Sequence, residues 1–213
     1  SASRNPGRHQ DISLEMKRVT IFGGSFNPIH NGHIALARSV LANDMADEVW
    51  LMVSPQNPLK EQQDLMPERF RLQLAELAVI NEPHIVVSDF EFKLPRPSFT
   101  SNTLKALRHQ YAGTDFSLLI GGDNWRVFHK WADYEELLRN HTIIIYPRPN
   151  YAIEKENLPS NVLMLKDVPL YPWSSTEIRR HLHCGEDIST AVPPIVADVL
   201  KQEYHVFKKH LPT

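Results

Sequence analysis

Short apolar runs recur along the chain, each followed by a segment of helical periodicity, and two of the runs stop on paired glycines. Val19–Phe22 runs into Gly23-Gly24, and Phe116–Ile120 into Gly121-Gly122. Runs of four or five apolar residues without alternation read as strands buried on both faces, which is the condition of a parallel sheet covered by helices. Further strands read at Val49–Val53, Ile85–Val87, Thr142–Tyr146 and Val162–Leu165. Between them, Ile34, Ala37 and Leu41 have helical spacing from about Gly32. Pro67 opens a helix whose face carries Phe70, Leu74 and Leu77. Thr103–Leu107 and Tyr134–Leu138 read as helical, and Ser174–Leu182 and Ile195–Tyr204 close the chain as helices. Leu94–Pro97 and the Pro-rich Tyr146–Pro159 read as loops. In a sheet of this kind ligands bind beyond the carboxyl ends of the strands, where the glycine pairs cluster.

With 213 residues the chain is long enough for one core without disulfides, and its single cysteine, Cys184, excludes an internal one and fits a reducing, cytoplasmic compartment. A net charge of -2 supplies no field to attract nucleic acid or an anionic membrane, so phosphate chemistry would depend on local placement of charge. No apolar run approaches the ~20 residues that span a bilayer. Residues 1–15 are polar and aperiodic and read as vector-derived sequence or a disordered arm, leaving 16–213 as one domain.

Gly23-Gly24-Ser25-Phe26-Asn27-Pro28-Ile29-His30-Asn31-Gly32-His33 is the most informative segment. Glycines let the backbone turn sharply off a strand and approach a ligand, and the next helix offers unpaired N–H groups to an anion. His30 and His33, three apart where that helix begins, would add donors. The segment is not a P-loop, since no Gly-Lys-Ser/Thr follows, and its glycine spacing is not that of the dinucleotide fingerprint. An ordinary strand–helix turn with two solvent-facing histidines is the alternative; a zinc pair lacks further ligands at matching spacing. A second segment, Ser174-Ser175-Thr176-Glu177-Ile178-Arg179, contains a capping box with Ser174 as N-cap and Glu177 three residues on. Helical spacing then puts Ser175, Thr176 and Arg179 on one face and Ile178 and Leu182 toward the core. Two hydroxyls, free backbone donors and a guanidinium about one point can cradle a phosphate, though a capped surface helix has the same sequence pattern.

The first segment resembles the GxFxPxHxGH motif of the nucleotidyltransferase superfamily, in the form typical of its nicotinate mononucleotide adenylyltransferase branch. The second resembles that superfamily's ISSTxIR signature, with Trp173 where an aliphatic residue is usual. The resemblance implies an α/β, Rossmann-like, doubly wound parallel sheet in a single domain with a small C-terminal helical part. It implies transfer of the adenylyl group of ATP, with Mg²⁺, to nicotinate mononucleotide; the alternatives are the same chemistry on nicotinamide mononucleotide or on both acceptors, or a non-catalytic nucleotide-binding module of the same fold. His30, His33 and Arg179 are the catalytic candidates. Gly23, Gly24, Ser25, Phe26, Ser174, Ser175 and Thr176 join them around ATP. Asn57 and Lys60 after the second strand, Phe99 and Thr100, Asp123 of Gly121-Gly122-Asp123, and a stacking Trp131 would hold the mononucleotide. No metal held by the protein is expected, and the oligomeric state stays open. His181-Leu182-His183-Cys184 has a metal-like look, but alternate residues of a helix point to different faces, and Cys184 reads as structural.

Overall fold

The computed structural model describes residues 16–56 and 64–208. Six strands, β1 (Lys17–Gly24), β2 (Glu48–Val53), β3 (Ile85–Ser88), β4 (Thr114–Gly121), β5 (Ile143–Tyr146) and β6 (Val162–Met164), form one sheet in the order β3-β2-β1-β4-β5-β6. Every pairing is parallel. From β1 the chain winds outward to β3 and then returns to β4 to wind the other way, so the connections diverge beyond the carboxyl ends of β1 and β4. Gly23-Gly24 and Gly121-Gly122 both lie at that switch point. The parallel sheet expected from the alternation forms, with the double winding that the resemblance implies.

The helices are α1 (Asn31–Ala42), α2 (Glu68–Ala78), α3 (Thr100–Gln110), α4 (Gly122–Arg126), α5 (Tyr134–Asn140), α6 (Ser175–His183) and α7 (Pro194–Lys208). Adjacent strand residues feed opposite cores. Phe22, Leu51 and Val53 pack with Ile34, Leu74, Ile178 and Val196 on the face of α1, α2, α6 and α7. Ile21, Met52, Leu118 and Ile120 pack with Leu104, Leu107, Phe128 and Leu137 on the other. Burial of both faces explains the unbroken apolar runs. Where Thr20 and Ser117 interrupt them, the two hydroxyls meet across β1 and β4 at 2.7 Å, so neither is left unpaired. Among the described residues no helix is long and apolar enough to cross a membrane.

Several boundaries differ from the sequence reading. β1 and β4 each begin earlier because Lys17 and Thr114 pair with each other, and ladder pairing is not written in hydropathy. Pro67 is the extended residue before α2, not its first. α3 begins at Thr100, three residues before the helical stretch read from Thr103, and Asp123 follows β4 as expected, in the first turn of α4.

Candidate active site

The β1–α1 turn is shaped by its own side chains. Phe26 takes a left-handed backbone conformation, φ 45°, and its ring is buried against Phe22 and His33 at centroid distances of 5.5 and 4.9 Å. Asn27 is buried as well: its amide donates to the Asp64 carbonyl at 2.8 Å and its Oδ1 accepts from Met66 N at 3.0 Å, tying the turn to the entry of α2. Phe26 and Asn27 therefore build the turn; the side chain of Phe26 is spent on packing and has no free face for a nucleotide.

His30 is the N-cap of α1. Its Nδ1 accepts from Gly32 N at 3.0 Å, and Nδ1 of His33 accepts from His30 N at 3.1 Å, a reciprocal capping arrangement made by two imidazoles. The rings stack with centroids 3.7 Å apart. An Nδ1 that accepts an N–H carries no proton, so each ring is neutral and holds its proton on Nε2. Burial pushes His30 down to about 4, helped by the positive charge of Arg148; His33 is lowered by burial, then by His30 and Arg148. Near neutral pH both act as donors without charge. Gly32 has a steric reason: a Cβ there would lie 2.8 Å from Cε1 of His30.

α6 brings the second segment to the same place. Ser175 Oγ donates to the carbonyl of Pro28 at 2.9 Å, and Arg179 Nη1 to that of Asn27 at 2.8 Å, so the two segments are tied together directly. Arg179 Nη2 also reaches Thr176 Oγ1 at 3.3 Å. The expected capping box forms only in part: Ser174 Oγ accepts from Glu177 N, but the Glu177 carboxylate meets the Ser174 hydroxyl instead of its N–H. Trp173 packs against the core and donates to Thr190 Oγ1 at 3.2 Å, anchoring the stretch ahead of α7. His181, set aside as a ligand, lies 3.1 Å from the Glu186 carboxylate, its Nδ1 facing the Glu177 carbonyl.

Between the carboxyl ends of β1 and β4 lies a cavity of about 230 Å³ whose lining includes Gly23, Gly24, Thr100, Trp131 and Tyr146. Trp131 is half-buried against Phe128, with centroids 5.0 Å apart, and also lines the cavity. Phe99 does not line it and is largely exposed. Its neighbour Thr100, as first residue of α3, offers one of that helix's unpaired N–H groups. Asp123 Oδ1 is buried without a hydrogen bond, 3.8 Å from Arg148 Nε. Asn57 and Lys60 lie outside the described residues.

Three residues escaped the sequence reading. Arg148 stands two positions beyond β5 and sends its charge to His30, His33, Tyr146 and Asp123; its place after a strand's carboxyl end was the available signal. Arg71 is fully buried, donating to the carbonyls of Met66, Ser25 and Ser54, with Nη2 unpaired. It lies three residues before Leu74 and so on the apolar face of α2, an anomaly visible in the sequence. Glu91, buried in a 3-10 turn (Phe90–Lys93), gave no such signal.

The cytidylyltransferase-like family model matches residues 21–181. A Bacteroides fragilis protein named "Probable nicotinate-nucleotide adenylyltransferase" is 48% identical over 179 residues, 84% of this chain and 89% of its own. A Bacteroides thetaiotaomicron protein of the same name is 43% identical over 185 residues, 87% of this chain and 91% of its own. Among solved structures, Plasmodium falciparum nicotinic acid mononucleotide adenylyltransferase complexed with NaAD matches with a TM-score of 0.74. That match covers 90% of this chain and 98% of the other at 20% identity, a likeness of fold.

Proposed function

The chain belongs to the cytidylyltransferase-like family, and from that premise we propose that it transfers the adenylyl group of ATP to nicotinate mononucleotide, releasing pyrophosphate and giving nicotinate adenine dinucleotide for NAD synthesis. The observation that carries this reading is the junction of the two segments. Arg179 and Ser175 bond the carbonyls of Asn27 and Pro28, which sets the guanidinium and the hydroxyls of α6 beside two neutral Nε2–H donors.

The acceptor's phosphate is anionic near neutral pH, so its oxygen attacks the α-phosphorus without a general base. The work left to the protein is alignment and stabilisation of the charge that builds on the transferred group. His30 and His33 donate from Nε2 to the α-phosphate, while Arg179, Thr176 and the free N–H groups of α6 hold the departing polyphosphate. Neutral histidines suit this role because they donate without competing as acids. Arg148 adds positive charge where two anions must approach. Gly23 and Gly24, with the backbone of Ser25, leave room for the nucleotide, and Ser174 holds the start of α6.

Mg²⁺ bound to the ATP phosphates would supply further charge neutralisation. Such an ion would be held largely by the ATP phosphates and water, with few protein ligands. The pyridine ring stacks on Trp131, with its substituent toward the start of α3, where the N–H of Thr100 can donate to a carboxylate. Asp123 takes the ribose, and Asn57 and Lys60 complete the mononucleotide side. Residues 16–213 act as one nucleotidyltransferase domain, in the cytoplasm, as the single cysteine suggests. The test is ATP offered with a panel of acceptors and scored for dinucleotide. Nicotinate mononucleotide should give the highest kcat/KM, and turnover of another acceptor class alone would refute the assignment.

A further inference from the structure

Glu91 lines the same cavity as Trp131 and Thr100, yet no part of the reaction uses it. Its side chain is buried, with 8% of the residue exposed, and the hydrogen bond it makes is to Thr103 Oγ1, 3.1 Å from Oε2. The same hydroxyl lies 3.3 Å from the carbonyl of Phe99. One hydroxyl proton can serve both acceptors only as a shared, weakened bond. Both contacts are satisfied if Glu91 carries a proton on Oε2 and donates it to Thr103 Oγ1, leaving the threonine proton for Phe99. Beside them, Ser98 Oγ lines the cavity, buried and with no hydrogen-bond partner, a polar atom waiting for one on a ligand.

The charged groups around Glu91 are otherwise engaged. From α2, Arg71 bonds three backbone carbonyls and Arg69 lies over the Phe92 ring. Arg96, in the stretch before α3, is bidentate on Glu68 at 2.7 and 2.8 Å. β2 contributes Met52 to the cavity, and Ser54, just after that strand, lines it as well; α3 carries an exposed Lys105, and the turn itself has Asp89 at its start and an exposed Lys93. Burial pushes the Glu91 carboxyl up to about 7, against the opposing effect of Thr103.

We propose that Glu91 is a specificity-determining residue that reads the substituent on the pyridine ring through its own proton. Holding that proton, it sits beside a carboxylate without repulsion, and Ser98 Oγ donates to the ligand. Having lost it, Glu91 opposes the carboxylate and favours a carboxamide, whose N–H it can accept. The preference for acid over amide is therefore pH-dependent, and binding the acid draws a proton from solvent onto Glu91. This rests on the function proposed above, in which the substituent points toward the start of α3.

The experiment is kcat/KM for nicotinate and nicotinamide mononucleotides from pH 5.5 to 9, read as a ratio. Groups that serve both acceptors, including the acceptor phosphate and the His30–His33 pair, cancel in that ratio. In the unmodified protein the acid/amide ratio should fall by ~10-fold or more on passing upward through neutral pH, as like-charge repulsion at a few ångströms implies. Glu91→Gln should flatten it, and Thr103→Val, which removes a donor to the ionised form, should move the fall to higher pH. Calorimetry on the unmodified protein in buffers of different ionisation enthalpy needs no variant. At pH 7.5 the acid acceptor should take up roughly half a proton more than the amide. A ratio that does not change with pH, equal proton uptake for the two acceptors, or an unaltered profile in a folded Glu91→Gln protein would overturn the assignment of Glu91. Failure of both acceptors to give dinucleotide would overturn the function itself and this inference with it.

Discussion

Gly32→Ala separates what the His30 ring does for the fold from what it does for the reaction. A Cβ at position 32 would lie 2.8 Å from Cε1 and 2.9 Å from Nδ1 of His30. Ordinary contact begins at 3.4 Å, so the ring must retreat by ~0.6 Å. That movement strains or breaks the 3.0 Å cap from Gly32 N to Nδ1 and carries Nε2 with it. Losing a cap costs ~1 kcal/mol. Replacing glycine by alanine inside a helix returns ~0.5–1 kcal/mol. The two effects oppose, so Tm should change by no more than ~4 °C. The reaction has no such compensation. A donor displaced by most of an ångström in a site that works by alignment should lower kcat by ~10–10²-fold. The assay is steady-state dinucleotide formation beside a thermal melt on the same preparation. Near-normal kcat in a folded Gly32→Ala protein would refute the view that His30 acts from a fixed position.

His33→Ala should lower kcat by ~10²–10³-fold and raise acceptor KM far less, since its Nε2–H would meet charge that develops on the transferred group; near-normal kcat would remove it from the mechanism. Arg179→Lys should be clearly impaired in turnover, because one ammonium cannot both hold the Asn27 carbonyl and present a second planar donor to phosphate; full activity would show that charge alone suffices. Acid should destabilise the fold through the histidine pair. The unfolded His30 binds its proton near pH 6.5 and the folded one near 4, so stability present above 6.5 is lost as pH falls, by ~3 kcal/mol for His30 alone. Melts from pH 7.5 to 4.5 should show a steeper loss of Tm in the unmodified protein than in His30→Ala; parallel curves would contradict it.

The sheet was legible because both its faces are buried, which turns each strand into an apolar run that needs no periodicity to be noticed. Strand ends were less legible, since Lys17 and Thr114 belong to the ladder through each other and not through their side chains. The start of α3 escaped for a related reason: Thr100-Ser101-Asn102 is a polar first turn, and Phe99 before it makes no side-chain cap. In the site, the histidines and the Ser175–Arg179 stretch stood out because their chemistry is contiguous in sequence. Arg148 and Glu91 take their meaning from neighbours on other elements, Asp123 and the histidine pair for one and Thr103 for the other. For Glu91 the local sequence carries none of it, and for Arg148 it gives only the place after a strand's carboxyl end.

Arg179 closes onto a carbonyl 152 residues earlier in the chain, and Ser175 onto one 147 residues earlier. During synthesis, then, the glycine turn and both histidines leave the ribosome long before the side chains that complete the cradle. The carbonyls of Asn27 and Pro28 have no side chain to close on them from α6 until that helix has emerged and docked. On the proposed function, ATP turnover therefore waits until all six strands have been made.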